Sequence, residues 1–265
     1  MRLSASRADV LRPLLAAAVA SIVPARDPAA AIAAAPPAVI TDRAYLDLRI
    51  IQSFDVEVLE DASVRGRLTL GLFGQDAPLG VARFLEFVKG TVGQYAATGG
   101  GPAYSGSAFT VLKPGVLLEG GKITGLKQTE FAGSLEWEYM SRLLPSLRPV
   151  LEVNDLTHDR RGLLTRERFQ SGPDFGITLG GSPSLDGRRE VIGVVEGGSE
   201  LIELIETLPY ITGRSLEEPG SAADTVFNAQ KAIFSGLSRA AGDSRAEDRT
   251  GRLLRRVEIT GCGVL

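Results

Sequence analysis

The sequence predicts a fold dominated by β-strands, with two short helices, and three observations carry that prediction. Glycine supplies 31 and proline 14 of the 265 residues while apolar side chains make up 44%, a composition of many turns between strands rather than of a long helical bundle. The stretch from Tyr104 to Ile123, YSGSAFTVLKPGVLLEGGKI, alternates apolar and small residues, reverses at Pro114-Gly115, resumes at Val116-Leu117-Leu118 and closes on Gly120-Gly121. Two short strands joined by a tight turn fit it, with one apolar face on a core and paired glycines permitting close backbone approach. Helical spacing is clear in two further short stretches, Pro78 to Gly90 and Ser199 to Leu208.

The chain opens with 14 alanines in its first 40 residues. Arg2, Arg7 and Arg12 precede a ten-residue apolar run from Leu14 to Val23, and Ala31-Ile32-Ala33 supplies a small-residue cleavage pattern. That order reads as a targeting segment over residues 1–39, too short in its apolar part to span a bilayer. Ala44 to Ile51 alternates as a strand. A polar excursion from Asp55 to Ser63 leads to a second strand, Gly66 to Phe73. Behind Pro78, the residues Val81, Phe84, Leu85 and Val88 recur at helical spacing and Gly90 ends the run. Residues 91–103 are glycine-rich and read as a surface connection.

After the signature stretch the pattern is mixed. Leu135, Met140, Leu143 and Leu144 fit a short helix or a loop, Trp137 is the expected anchor, and Pro145 and Pro149 bracket the end. Gly162-Leu163-Leu164-Thr165 starts another strand, and Gly172 to Val195 holds two more around the turn pair Asp186-Gly187. Ser199 stands where a helix cap is expected, with Leu201, Leu204, Ile205 and Leu208 on one face. Within residues 209–254, Val226, Ile233, Phe234 and Leu237 suggest a further helix over Ala223 to Ala240, before a final alternating strand from Leu254 to Thr260.

Several function classes are excluded. Twenty-nine basic against 32 acidic side chains give a net charge of −3, without the basic footprint of a nucleic-acid binder. Cys262 is the single cysteine and His158 the single histidine, so no internal disulfide, cysteine-rich metal cluster or multi-histidine metal site can form. No cofactor or metal is expected. His158, set among Asp155, Asp159, Arg160 and Arg161, reads as a satisfied surface or second-layer group.

The signature stretch resembles that of the cyclophilins, the peptidyl-prolyl isomerases, at Tyr104, Gly106, Ser107, Phe109, Pro114, Gly115, Gly120 and Gly121. A second match runs through Phe175, Ile177, Leu185, Asp186, Gly187, Val191, Gly193 and Val195, and the closing Gly261-Cys262-Gly263 is similar too. The resemblance covers about residues 44–265. It implies a closed eight-stranded antiparallel β-barrel with two capping helices, to which this chain adds an inserted helical segment. The domain reading is a cyclophilin-like domain over residues 40–265 with insertions at about 124–160 and 209–254.

Proline isomerisation faces a barrier of ~18–20 kcal/mol because the peptide C–N bond has partial double-bond character. Its catalysis needs an apolar grip on the proline ring and a donor aimed at the prolyl nitrogen. The resemblance places the peptide groove at Phe109, Val111, Val116, Leu117, Glu119, Asp174, Gly176, Leu185 and Arg189. Val111 stands where the family has its donor arginine, Thr110 where it has a histidine, Val116 and Leu117 where it has phenylalanine and methionine. Glu119 and Asp174 replace glutamines, Gly176 replaces a pocket-forming phenylalanine, Ser184 a tryptophan, and Arg189 a histidine. No catalytic residue is retained, although Arg166, Arg168 and Arg189 are candidate substitute donors.

Two functions are therefore expected of such a chain. One is a cyclophilin-type isomerase or folding helper of weak or absent activity that binds proline-containing peptide or protein. The other is a non-catalytic scaffold for a partner of a photosynthetic membrane complex, such as a photosystem assembly component. The entry strand Ile40 to Arg43 and the alanine-rich leader resemble cyclophilin-like chains of the chloroplast thylakoid lumen; a secreted or periplasmic chain would carry the same leader. Stable insertion across a membrane is not expected.

Overall fold

The computed structural model describes residues 38–52, 63–212 and 250–265. Its elements run β1 (Asp42–Ile51), β2 (Ser63–Leu72), α1 (Pro78–Lys89), β3 (Ala108–Lys113), β4 (Leu117–Gly120), β5 (Leu126–Phe131), β6 (Ser134–Tyr139) and β7 (Arg142–Leu143). Then follow β8 (Leu163–Glu167), β9 (Phe175–Thr178), β10 (Arg189–Gly197), α2 (Ser199–Glu206) and β11 (Arg252–Val264). Eight strands close a barrel in the order β1-β11-β3-β4-β9-β8-β10-β2, every pairing antiparallel.

Alternation sets the wall. Along β1, Ala44, Leu46, Leu48 and Ile50 point into the barrel while Arg43, Tyr45, Asp47 and Arg49 point out; Leu68, Leu70 and Leu72 of β2 join the inside. Each fully buried side chain of this size contributes about 1.5–3 kcal/mol. Phe175 is the hub of an aromatic cluster in that interior, with edge contacts to Phe84, Tyr104 and Phe109 at centroid distances of 5.6, 5.0 and 5.5 Å. Tyr104 Oη donates to the carbonyl of Pro173 at 2.8 Å, which satisfies the one polar atom the cluster buries.

Both helices close on this core. Helix α1 starts with Pro78 in its first turn, buries Val81, Phe84, Phe87 and Val88, and stops at Gly90 in the left-handed conformation (φ 63°). Ala77, at its N-cap, has no side chain to accept from the first free N–H groups. Glu152, from a distant segment, does this instead: its two carboxylate oxygens accept from Leu79 N at 2.9 Å and Gly80 N at 2.7 Å.

Helix α2 corrects the expected serine cap. Ser199 is already helical and Gly198 is the cap, at φ 83°; a Cβ there would stand 2.2 Å from the carbonyl oxygen of Arg67, so only glycine fits. Its buried face is Leu201, Ile202 and Ile205, with Leu204 half-buried.

The mixed stretch after the signature is neither helix nor loop but a separate three-stranded antiparallel sheet, β5-β6-β7. Ala132-Gly133 and Met140-Ser141, all at positive φ, form its two tight reversals. Trp137 anchors it, packing against the barrel core and donating from Nε1 to Ser171 Oγ at 2.6 Å. The outer parts of this sheet stay open: Phe131, Leu135 and Met140 are 56%, 70% and 72% exposed.

The helix expected over Ala223 to Ala240, most of the 209–254 insertion, the leader up to residue 37 and the connection at 53–62 lie outside the described residues. Among the described residues no helix is long and apolar enough to cross a membrane.

Candidate functional site

Strand pairing aligns a row of residues across the outer wall: Arg252 of β11, Val111 of β3, Glu119 of β4, Gly176 of β9 and Thr165 of β8 are successive partners. Leu117 and Arg189 flank this row. Most of the expected groove residues thus converge on one face, but Phe109 does not. A bulge between Phe109 and Val111 turns the Phe109 ring inward, where it is buried against Phe175. Val116 is half-buried in the β3–β4 turn and Leu185 is half-buried in the short 3₁₀ turn Pro183–Leu185.

The place of the missing ring at Gly176 is filled. Leu117 Cδ1 lies 2.8 Å, and Arg189 Nη2 3.3 Å, from where a Cβ on Gly176 would stand. Leu117 is fully buried and the Arg189 side chain is 7% exposed. Arg189 Nη1 faces Glu119 at 3.5 Å and Glu167 at 3.8 Å, its Nη2 reaches the Thr165 carbonyl at 3.4 Å, and its Nε has no acceptor. Lys113 Nζ lies 3.1 Å from the same Glu119 oxygen, Oε1.

Burial draws the Arg189 guanidinium below its ordinary value, with Glu119, Glu167 and Asp174 pulling the other way; it remains a cation. Burial likewise pushes the Asp174 carboxyl up, against the attraction of Lys122. A charged lattice therefore occupies the position where a proline ring would need apolar surface.

Of the three candidate substitute donors, only Arg189 reaches this row. Arg166 is buried beneath α1, its guanidinium donating to the Gln170 carbonyl, and Arg168 pairs with Glu190 at 3.1 Å. Sequence order did not reveal Arg252. It is exposed and stands opposite Val111 only because β11 pairs with β3, far from it in the chain, and no local pattern announces that register.

His158 is fully buried rather than at the surface, and fully engaged. Its Nδ1 lies 2.7 Å from Asp186 Oδ1 and its Nε2 lies 3.0 Å from Thr165 Oγ1, whose hydroxyl in turn lies 2.9 Å from the Glu190 carbonyl. The order Asp-His-Thr has the outline of a catalytic triad, but Thr165 is fully buried and no substrate atom can approach it. The network instead ties the Leu185-Asp186-Gly187 turn to β8.

Burial favours the neutral Asp186 carboxyl, yet hydrogen bonds from the His158 ring and backbone N–H outweigh it and hold the group below the usual carboxylate range. A depressed folded pKa contributes stability above the unfolded value and loses it as pH falls through the folded one. Asp186→Ala is expected to cost about 1–3 kcal/mol at neutral pH, because it orphans a buried imidazole nitrogen. The gap between variant and parent should narrow only as pH falls through the depressed folded value of Asp186, below the ordinary carboxylate range. Urea titrations at neutral pH and through the acid range check both; a gap that stays constant down to the lowest pH at which the parent still folds would place the effect elsewhere.

A closed eight-stranded antiparallel barrel with two helices matches the cyclophilin fold. The chain belongs to the cyclophilin-type peptidyl-prolyl cis-trans isomerase family: the profile described as "Cyclophilin type peptidyl-prolyl cis-trans isomerase/CLD" matches residues 54–225, more than half of its length. It is 25% identical over 261 residues to the chloroplastic peptidyl-prolyl cis-trans isomerase CYP28 of Arabidopsis thaliana, covering 87% of this chain and 83% of the relative. With the chloroplastic CYP26-2 of the same plant it shares 24% over 255 residues, covering 85% and 70%. Peptidyl-prolyl cis-trans isomerase A of Mycobacterium tuberculosis is 30% identical over 138 residues, or 49% of this chain and 69% of that protein.

Proposed function

We propose that this protein is a cyclophilin-family folding or assembly helper whose groove has weak isomerase activity or none. The observation that carries the reading is the filling of the Gly176 position by Leu117 and the Arg189–Glu119 pair, beside a valine at the donor position. A groove without a donor forgoes roughly 2.7–4 kcal/mol of transition-state stabilisation, a loss on the order of a hundredfold or more. The exposed Phe131, Leu135 and Met140 of the appended sheet support partner binding outside the groove, with a proline-containing protein as the partner class. The two chloroplastic relatives and the leader pattern of residues 1–39 support a chloroplast location, with the thylakoid lumen as the compartment and a photosynthetic membrane complex under assembly as the client. The unit acting there is the cyclophilin-like domain of residues 40–265 with its two insertions.

A relocated donor is the second reading, favoured by Arg252 standing opposite Val111. The cis-to-trans relaxation of a short Xaa-Pro peptide with the full chain decides between them. The first reading expects a rate within about tenfold of the uncatalysed one, unaltered by Arg252→Gln. Strong catalysis that disappears in Arg252→Gln would establish the second.

A further inference from the structure

In the barrel's strand order β2, β1 and β11 lie side by side, with β11 bordering β3 of the groove. These three strands carry seven arginines, at 43, 49, 65, 67, 252, 255 and 256, against three carboxylates, Asp42, Asp47 and Glu258, although the whole chain is net negative. Three of these arginines are held in ion pairs. Arg43 pairs with Glu196 at 2.8 Å and Arg256 with Glu258 at 3.0 Å. Arg67 holds Asp47 through two hydrogen bonds and lies 3.9 Å over the Tyr45 ring.

Arg49 and Arg65 stand out for another reason. They are direct cross-strand partners in the β1–β2 register, an arrangement in which like charges repel. Neither has a carboxylate partner among the described residues. Glu258, aligned with Arg49 on β11, is turned to Arg256, and the Nε of Arg49 is sequestered without an acceptor. Beside the pair lies an open depression of about 420 Å³ lined by Asp47, Leu48, Arg65, Gly66, Arg67 and Thr260. Among the described residues nothing in the packing calls for two opposed arginines here, and a ligand bearing negative charge would relieve both defects.

We propose that this wall binds a carboxylate-rich extended segment of a partner protein, seated on Arg49 and Arg65. Arg49 and Arg65 stand side by side on adjacent strands, about 5 Å apart at their Cβ atoms, and long side chains there reach successive same-side residues of an extended peptide, about 7 Å apart. Alternate acidic residues therefore match the wall, and contact is through side chains because a closed barrel leaves no strand edge for backbone pairing. Asp47 and Glu258 on the same wall disfavour a uniformly charged polyanion such as nucleic acid.

The full chain is titrated with a fluorescent Glu-Ser repeat peptide, a Gln-Ser control, inorganic phosphate and a single-stranded oligonucleotide. Expected are saturable binding of the Glu-Ser peptide alone, weakening with salt, and a loss of at least about tenfold in Arg49→Gln/Arg65→Gln. Thermal melting of the same variant should stay level or rise, since repulsion is removed. Unchanged affinity in the variant, full competition by phosphate or the oligonucleotide, or absence of binding would overturn the proposal. A marked fall in melting temperature would overturn it too, by assigning the two arginines to the fold.

Discussion

A variant carrying Val111→Arg, Gly176→Phe, Leu117→Met and Arg189→His is expected to accelerate Xaa-Pro isomerisation on the order of a hundredfold over its parent. The arginine restores a donor and the phenylalanine restores apolar grip. The other two changes are needed because Leu117 and Arg189 stand where the new ring must go. Val111→Arg with Gly176→Phe alone is expected to gain far less. In that pair the ring would meet Leu117 at 2.8 Å from its own Cβ and displace a buried guanidinium from Glu119. Peptide relaxation rates, with circular dichroism to show that each variant is folded, check this. A folded fourfold variant no faster than its parent would mean that the groove lacks more than donor and pocket.

Phe175→Ala is expected to destabilise the barrel by about 3–5 kcal/mol, as loss of a fully buried phenylalanine does elsewhere. The ring touches Phe84, Tyr104 and Phe109, so its removal opens a cavity among four elements of the core. Chemical denaturation should show a lower midpoint at an unchanged slope. A loss below about 1 kcal/mol would show that the cluster collapses into the space.

Phe175 and Gly176 are neighbours in sequence and opposite in fate. Strand alternation sends the first into the core and the second to the outer wall. The framework positions kept in this chain point inward or permit turns; the replaced positions point outward into the groove. Barrel and helices were legible for that reason, since burial and turn geometry leave periodic, local marks in sequence.

The appended sheet was less legible, although Leu135-Glu136-Trp137-Glu138-Tyr139 alternates strictly. Leucines and a methionine at helical distances competed with that signal, and Leu135 and Met140 prove to be exposed, so their spacing says nothing about a core. The serine before α2 misled similarly: Gly198 is dictated by the Arg67 carbonyl, from a strand more than a hundred residues away. Glu152 capping α1 is likewise a contact between distant segments.

By itself the sequence determined the strand-rich class, the signature turn, both helices, and the absence of a donor at residue 111, because each is written in residue type and local spacing. Only the tertiary structure decided what fills the place of the missing ring, that Phe109 belongs to the core, that Arg252 faces Val111, and that Arg49 faces Arg65. Those facts depend on strand register, which burial of the interior selects and outward side chains do not encode.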